Sequence, residues 1–252
     1  KAKAVNPQAF SLFLQARALS NQVTKVGFQE SEKLYQQALD IEPNYAAAWT
    51  GRSLNYFRLV NAGLLAAEKG DVLAREAVDR AIAIDPAYAP AFAMSAWMAM
   101  FRSNDLATAA GYLERALELE PTSSVVIGRA AALMYHLGRL DEAIALGEYE
   151  VASDPLYVPG HFNLATRYFT AGRMDEAIAS YRTGLRLSPG AEGAQAAIGS
   201  ALLLQGKTDY VFDDGIGLAF WLNGTLSRRC CELRGGPYSE PRYFGDGLVF
   251  AV

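Results

Sequence analysis

The sequence predicts an all-α solenoid of helical hairpins followed by an irregular C-terminal tail. Three observations predict it. Prolines close similar strings at a regular interval: Asp40-Ile41-Glu42-Pro43, Ile84-Asp85-Pro86, Leu119-Glu120-Pro121, Ser153-Asp154-Pro155 and Leu187-Ser188-Pro189, spaced 43, 35, 34 and 34 residues apart. A second marker keeps the same phase. Gly138-Arg139-Leu140-Asp141-Glu142-Ala143 returns as Gly172-Arg173-Met174-Asp175-Glu176-Ala177 and in part as Gly206-Lys207-Thr208-Asp209, with glycines 34 apart. Between markers the small and apolar residues follow a helix: Ala143, Ile144 and Gly147 stand at i, i+1 and i+4, and Ala177, Ile178 and Tyr181 do the same.

Each marker glycine is expected to end one helix, because Gly takes the left-handed C-terminal conformation without steric cost. The Asp three residues on caps the next helix or stabilises its positive end. Each proline ends the second helix, since it lacks an N–H and pushes the preceding residue out of the helical region. In chain order, the first hairpin carries an insertion near residues 20–27. The second has Trp49 and Tyr56 on its first helix and Ala74, Ala81 and Pro86 on or after its second. Its nine extra residues, placed near 60–65, lengthen the hairpin. The third has Phe92, Ala96, Ala109, Ala116 and Pro121, and the fourth Ala131, Ala143 and Pro155. The fifth has Leu164, Ala165, Tyr168, Ala177, Tyr181 and Pro189. Small residues mark close helix approaches, and aromatics fill the holes opposite. The array is expected over residues 1–209, as about five hairpins and the first helix of a sixth.

From Tyr210 the period vanishes. Residues 210–252 hold seven glycines, both cysteines and Trp221, with only Ala219 and Ala251 as alanines. Three readings stand: a shifted reading frame, an irregular or β-hairpin appendix turning at Leu222-Asn223-Gly224-Thr225, or the start of another domain.

This periodic pattern resembles the tetratricopeptide repeat, whose period is 34 residues. The resemblance covers about residues 7–209 and implies a right-handed α-solenoid that binds other polypeptides. The opening strings narrow it: Asn6-Pro7-Gln8-Ala9-Phe10, Leu14-Gln15-Ala16-Arg17 and the run from Ala38 to Trp49. They are similar to the C-terminal repeat arrays of bacterial multidomain regulators, in which a class III nucleotide cyclase or a winged-helix DNA-binding domain lies upstream, often with a TolB-like domain. None of those catalytic or DNA-binding motifs occurs in this sequence. The chain begins without Met, and it is expected to start inside a longer protein or to be trimmed.

Composition narrows the function. Of 252 residues, 51% are hydrophobic and 20% charged, which suits a folded chain. The net charge of −4 gives no basic excess, so nucleic acid is not an expected partner. No apolar run reaches the roughly 18 residues of a membrane span, and no secretory leader precedes the repeats, so the expected location is the cytoplasm. Adjacent Cys230 and Cys231 imply no disulfide framework. No phosphate-binding loop is present, and Gly215-Ile216-Gly217 is only a fragment of a dinucleotide fingerprint. His136 and His161 have no neighbouring nucleophile, and the paired carboxylates at 141–142 and 175–176 repeat in phase, as structural features do. The chain is therefore read as no enzyme, with no cofactor and no metal.

The resemblance implies that the first helix of each hairpin lines a concave groove. On that alignment the groove presents Phe57 and Arg58, then Trp97, Met100 and Phe101, then Arg129, Tyr135 and His136, and finally Phe162, Asn163 and Phe169. Each of these also has an ordinary packing role as an alternative. Chaperone-binding members hold a carboxylate with Lys and Asn at inner positions that read here Thr50 and Leu54, Ala93 and Trp97, Gly128 and Ala132. Those residues lack the charge, so an apolar extended or helical peptide is the expected ligand. Two other readings remain: a regulatory segment of a larger cyclase or transcription regulator, and a module that forms a homodimer through its exposed end.

Overall fold

The computed structural model describes residues 5–191 and 193–205, together with the strand residues 243–244 and 247–248. The chain divides into two compact units, Lys1–Ala194 and Gln195–Val252. The first unit is a stack of antiparallel hairpins: α1 (Pro7–Asn21) with α2 (Lys25–Ile41), α3 (Ala46–Asn61) with α4 (Ala67–Ile84), α5 (Ala89–Met98) with α6 (Leu106–Leu119), α7 (Ser124–His136) with α8 (Leu140–Ser153), and α9 (Val158–Thr170) with α10 (Met174–Leu187). A π-helical turn, Ala99–Ser103, extends α5. Helix α11 (Ala194–Leu204) runs from the last residue of the first unit into the second, where Tyr243–Phe244 and Gly247–Leu248 form a short antiparallel pair. The expected turn at 222–225 and both cysteines lie outside the described residues.

Every second helix of the five hairpins ends two residues before its proline, as the ladder argument requires. The marker glycines stop α7 and α9. Gly138 and Gly172 have φ of 75° and 77°. Beyond them, Arg139 N–H donates to Met134 O and Arg173 N–H to Tyr168 O, each at 2.9 Å, which satisfies carbonyls left open at the helix end. The N-cap residues of α8 and α10 are Arg139 and Arg173, not the aspartates. Asp141 and Asp175 stand in the first turn, where they face the positive helix end without making a side-chain cap. Side-chain caps start α1, α2 and α6. Asn6 Oδ1 accepts from Gln8 N–H at 2.9 Å, Thr24 Oγ1 from Gly27 N–H at 3.0 Å, and Asp105 Oδ1 from Thr108 N–H at 3.0 Å.

The extra residues of the second hairpin lie largely within its helices. Helices α3 and α4 have 16 and 18 residues, against 13 and 14 in α7 and α8. The core alternates small and large. Ala38, Ala81, Ala96, Ala109, Ala116, Ala131, Ala143, Ala165 and Ala177 are fully buried, and Tyr35, Phe28, Tyr56 and Leu113 fill the spaces they leave. Glycines extend this logic to bulkier knobs. Gly51 faces Tyr35, Gly184 faces Phe162, Gly147 faces Arg167 and Gly128 faces Glu150, and in each case a Cβ would collide with that side chain's tip. One buried polar knot ties the first hairpin to the second. Asn55 accepts from Ser20 Oγ at 3.1 Å and Ser31 Oγ at 2.8 Å, and its Nδ2 donates to Phe28 O at 2.9 Å. With its donors and acceptors satisfied, a fully buried amide of this kind is tolerated.

The first unit also closes on itself. Ser188 Oγ, after α10, donates to Gln22 O between α1 and α2 at 2.5 Å. The last hairpin therefore touches the first.

Candidate ligand groove

Helices α3, α5, α7 and α9 supply most of the inner wall, and the start of α2 completes it. Two adjoining cavities lie there. One, of about 340 Å³, is lined among others by Phe28, Phe57, Arg58, Trp97, Arg129, Tyr157, Phe162 and Asn163. The other, of about 240 Å³, is lined by Phe57, Asn61, Trp97, Phe101, Tyr135, His136, Asn163, Thr166 and Arg167 among others. Phe57, Asn61, Trp97 and Asn163 belong to both walls, so the two form one groove.

An aromatic ladder crosses three hairpins along this wall. Phe57 meets Trp97 edge-on at 5.8 Å and Phe101 at 5.9 Å; Trp97 and Phe101 lie 4.2 Å apart; Phe101 meets His136 at 4.8 Å. Tyr135 and His136 follow at 5.7 Å. Two guanidinium groups lie over ring faces, Arg102 over Phe57 at 4.3 Å and Arg129 over Trp97 at 3.9 Å, where the ring quadrupole attracts a cation. Arg102 is fixed from behind by Asp71 at 2.7 Å. Phe101 is 41% exposed although its neighbours are largely covered.

Nine of the eleven residues expected at the groove line these cavities. Met100 and Phe169 do not. Met100 is 2% exposed and packs with Ala96, Leu113, Ala132 and Leu133 in the core. The π-helical turn explains its position. A π turn advances each residue around the axis by less than an α turn. Phe101 is thus carried back over Trp97, and Met100 stays on the packing side. Sequence reading missed Lys25, Asn61, Tyr157, Thr166 and Arg167. Lys25 and Tyr157 reach the groove because the unit curls round, which no local pattern displays.

The groove is also more cationic than expected. Arg58, held by Ser20 O at 2.8 Å and by the Ser20 and Asn21 side chains, reaches it from α3. Arg167 is 3% exposed; its Nη2 donates weakly to Gly128 O at 3.5 Å, and its Nη1 has no partner. The indole Nε1 of Trp97 and Nε2 of His136 are likewise buried without partners. Burial lowers the pKa of His136 from its ordinary value, because the charged ring would lose hydration there. Burial raises the pKa of Glu150, against the pull of Arg167 and Arg129. Among the described residues no group of three or more His, Cys, Asp or Glu is placed to hold a metal ion, and no helix is long and apolar enough to cross a membrane.

Comparison with known proteins places this architecture. Models of the tetratricopeptide repeat match residues 100–146 and 162–209. An Hsp70-Hsp90 organizing protein of Triticum aestivum is 29% identical over 103 residues, covering 41% of this chain and 18% of that protein. A small glutamine-rich tetratricopeptide repeat-containing protein of Mycosarcoma maydis is 31% identical over 78 residues, covering 31% of this chain and 22% of its own length. The chain thus spans only about a fifth of these relatives. A thermophilic tetratricopeptide protein of Thermus thermophilus superposes with a TM-score of 0.56 at 22% identity, covering 77% of this chain and 97% of that one. The chain carries tetratricopeptide repeats on an all-α solenoid.

Proposed function

We propose that this tetratricopeptide array is a protein-interaction scaffold that holds an extended or helical segment of a partner protein in its concave groove. The observation that carries the reading is the aromatic ladder, with Phe101 exposed over Phe57, Trp97 and His136. Solvent-facing aromatics backed by arginines are typical anchors for a partner, and a groove of this form suits peptide recognition. The scaffold reading assigns the chain no turnover of its own. Selection of a random peptide library on the immobilised chain tests it. Peptides enriched on the native chain should be lost on Phe101→Ala. Peptides that bind both chains equally would overturn the groove assignment.

A second reading rests on the opening strings over residues 6–17 and 38–49, which resemble those of bacterial regulators. In that case the array works in the cytoplasm as the sensory part of a larger signalling protein and passes partner binding to a catalytic or DNA-binding domain. The reading frame upstream of Lys1 decides between the two.

A further inference from the structure

The 340 Å³ cavity has walls of one charge sign. Lys25, Arg58 and Arg129 line it, and no carboxylate does. This is unexpected in a chain of net charge −4. Arg129 is 8% exposed, and its guanidinium lies over the face of Trp97 at 3.9 Å. Among the described residues its guanidinium makes no hydrogen bond and no ion pair. Glu150, whose carboxyl packs against Gly128, acts on it through its field and makes no hydrogen bond to it. Arg58 adds like charge, and Arg129 in turn acts to lower the pKa of Arg58. An arginine does not shed its proton to relieve this. Arg58 already has Ser20 and Asn21 as acceptors, but a buried guanidinium without one is costly, and an anion entering the cavity gives Arg129 the acceptor it lacks.

The remaining wall is apolar and aromatic, with Phe28, Phe57, Trp97 and Phe162 around the cations and Asn163 as a further polar group. A volume of about 340 Å³ lies in the usual range for small-molecule sites. We propose that this cavity binds a small organic anion, a carboxylate or phosphate carried on an aromatic or apolar body. Its charged group lies against Arg129 and Arg58, and its body rests among Phe57, Trp97 and Phe162. The site is a ligand site in its own right and does not depend on the peptide reading of the groove.

Calorimetric titration with phenyl phosphate tests it, with phenol as the uncharged counterpart and benzoate in parallel to tell a phosphate from a carboxylate preference. One equivalent of phenyl phosphate is expected to bind at least about tenfold more tightly than phenol, the difference a charge-assisted hydrogen bond supplies. Arg129→Gln should weaken it by about tenfold or more. Arg115→Gln, on the outer face of α6, should leave it unchanged. Binding no tighter than that of phenol, or undiminished in Arg129→Gln, would sink the proposal. If Arg129→Gln does not fold, the native chain decides. Phenyl phosphate at about ten times its Kd should raise Tm by about 3–6 °C. A rise no greater than that given by sodium chloride of equal ionic strength overturns it. A chain that fails these tests yet still selects peptides loses the anion site and keeps the scaffold.

Discussion

Trp97 and Phe101 lie one turn apart on the same wall, yet their surroundings differ. Trp97 is largely covered, with Phe57 at its edge and Arg129 over its face, whereas Phe101 is 41% exposed. Phe101→Ala should therefore reduce partner affinity by about 2 kcal/mol, roughly thirtyfold, with little change in Tm. Trp97→Ala should lower stability as well, by about 2–3 kcal/mol. Melting and binding curves on the two variants separate these outcomes. Glu150 offers a second residue-level test. Its pKa is raised above the ordinary 4.5 by burial, so the fold binds that proton more tightly than the unfolded chain. Its contribution to stability is present at low pH and is lost as pH rises from about 4.5 through the raised value. Glu150→Gln removes that loss while keeping the side chain's size. The Tm of the variant should improve relative to the native chain as pH rises above 4.5. The lowered pKa of His136 acts in the opposite sense, but equally in both chains, and cancels in the difference. A difference that falls with pH would show that Glu150 is ionised and stabilising, and a flat one that folding leaves its proton affinity unchanged.

At the scale of single helices, glycines with and without neighbours should respond in opposite ways. A Cβ on Gly147 would stand 2.5 Å from Arg167 Nη1 and 3.1 Å from Leu164 Cδ1. Gly147→Ala should cost about 1–3 kcal/mol, because two helices must move apart. Gly111, on the exposed face of α6, has nothing within 4 Å of such a Cβ. Gly111→Ala should stabilise by about 0.5–1 kcal/mol through lower unfolded-chain entropy. Urea unfolding of both variants checks the pair. The repeat phase sets Gly147 with Ala143 and Ile144 on the packing side, but nothing local shows that it is Arg167 and Leu164 that approach it. What was legible is periodic. The proline and glycine markers put the ends of α7, α8, α9 and α10 where the structure has them, since those stops follow from backbone sterics alone. The residues expected at the groove follow from the repeat alignment and helical counting, which put Phe57, Trp97 and Phe162 on cavity walls. The counting fails at Met100, where the π-helical turn changes the count. Nothing in Ala99-Met100-Phe101-Arg102-Ser103 announces that turn except Asn104, whose left-handed φ of 50° closes it.

For the whole molecule, the array should not need residues 210–252. The periodic pattern ends at Asp209, and the polar knot, the aromatic ladder and the cavity all lie within Lys1–Ala194. A chain ending at residue 209 should keep its helical circular dichroism and melt within a few degrees of the full chain; loss of helix would make the tail part of the array. The closure of the first unit has a different consequence. In an open stack each end repeat packs on a single neighbour, so the ends fray first and exchange their amide protons ahead of the middle. Here Ser188 Oγ is buried against Gln22 O, which ties the last hairpin to the first. Amides of α1 and α10 should therefore exchange on the same timescale as those of α5. Ser188→Ala removes the tie and leaves a carbonyl unpaired, at about 1 kcal/mol. In that variant, exchange by mass spectrometry should run fastest at α1 and α10 and slowest at α5. The native chain would then be seen to open as a ring opens, all at once, and not from its ends inward.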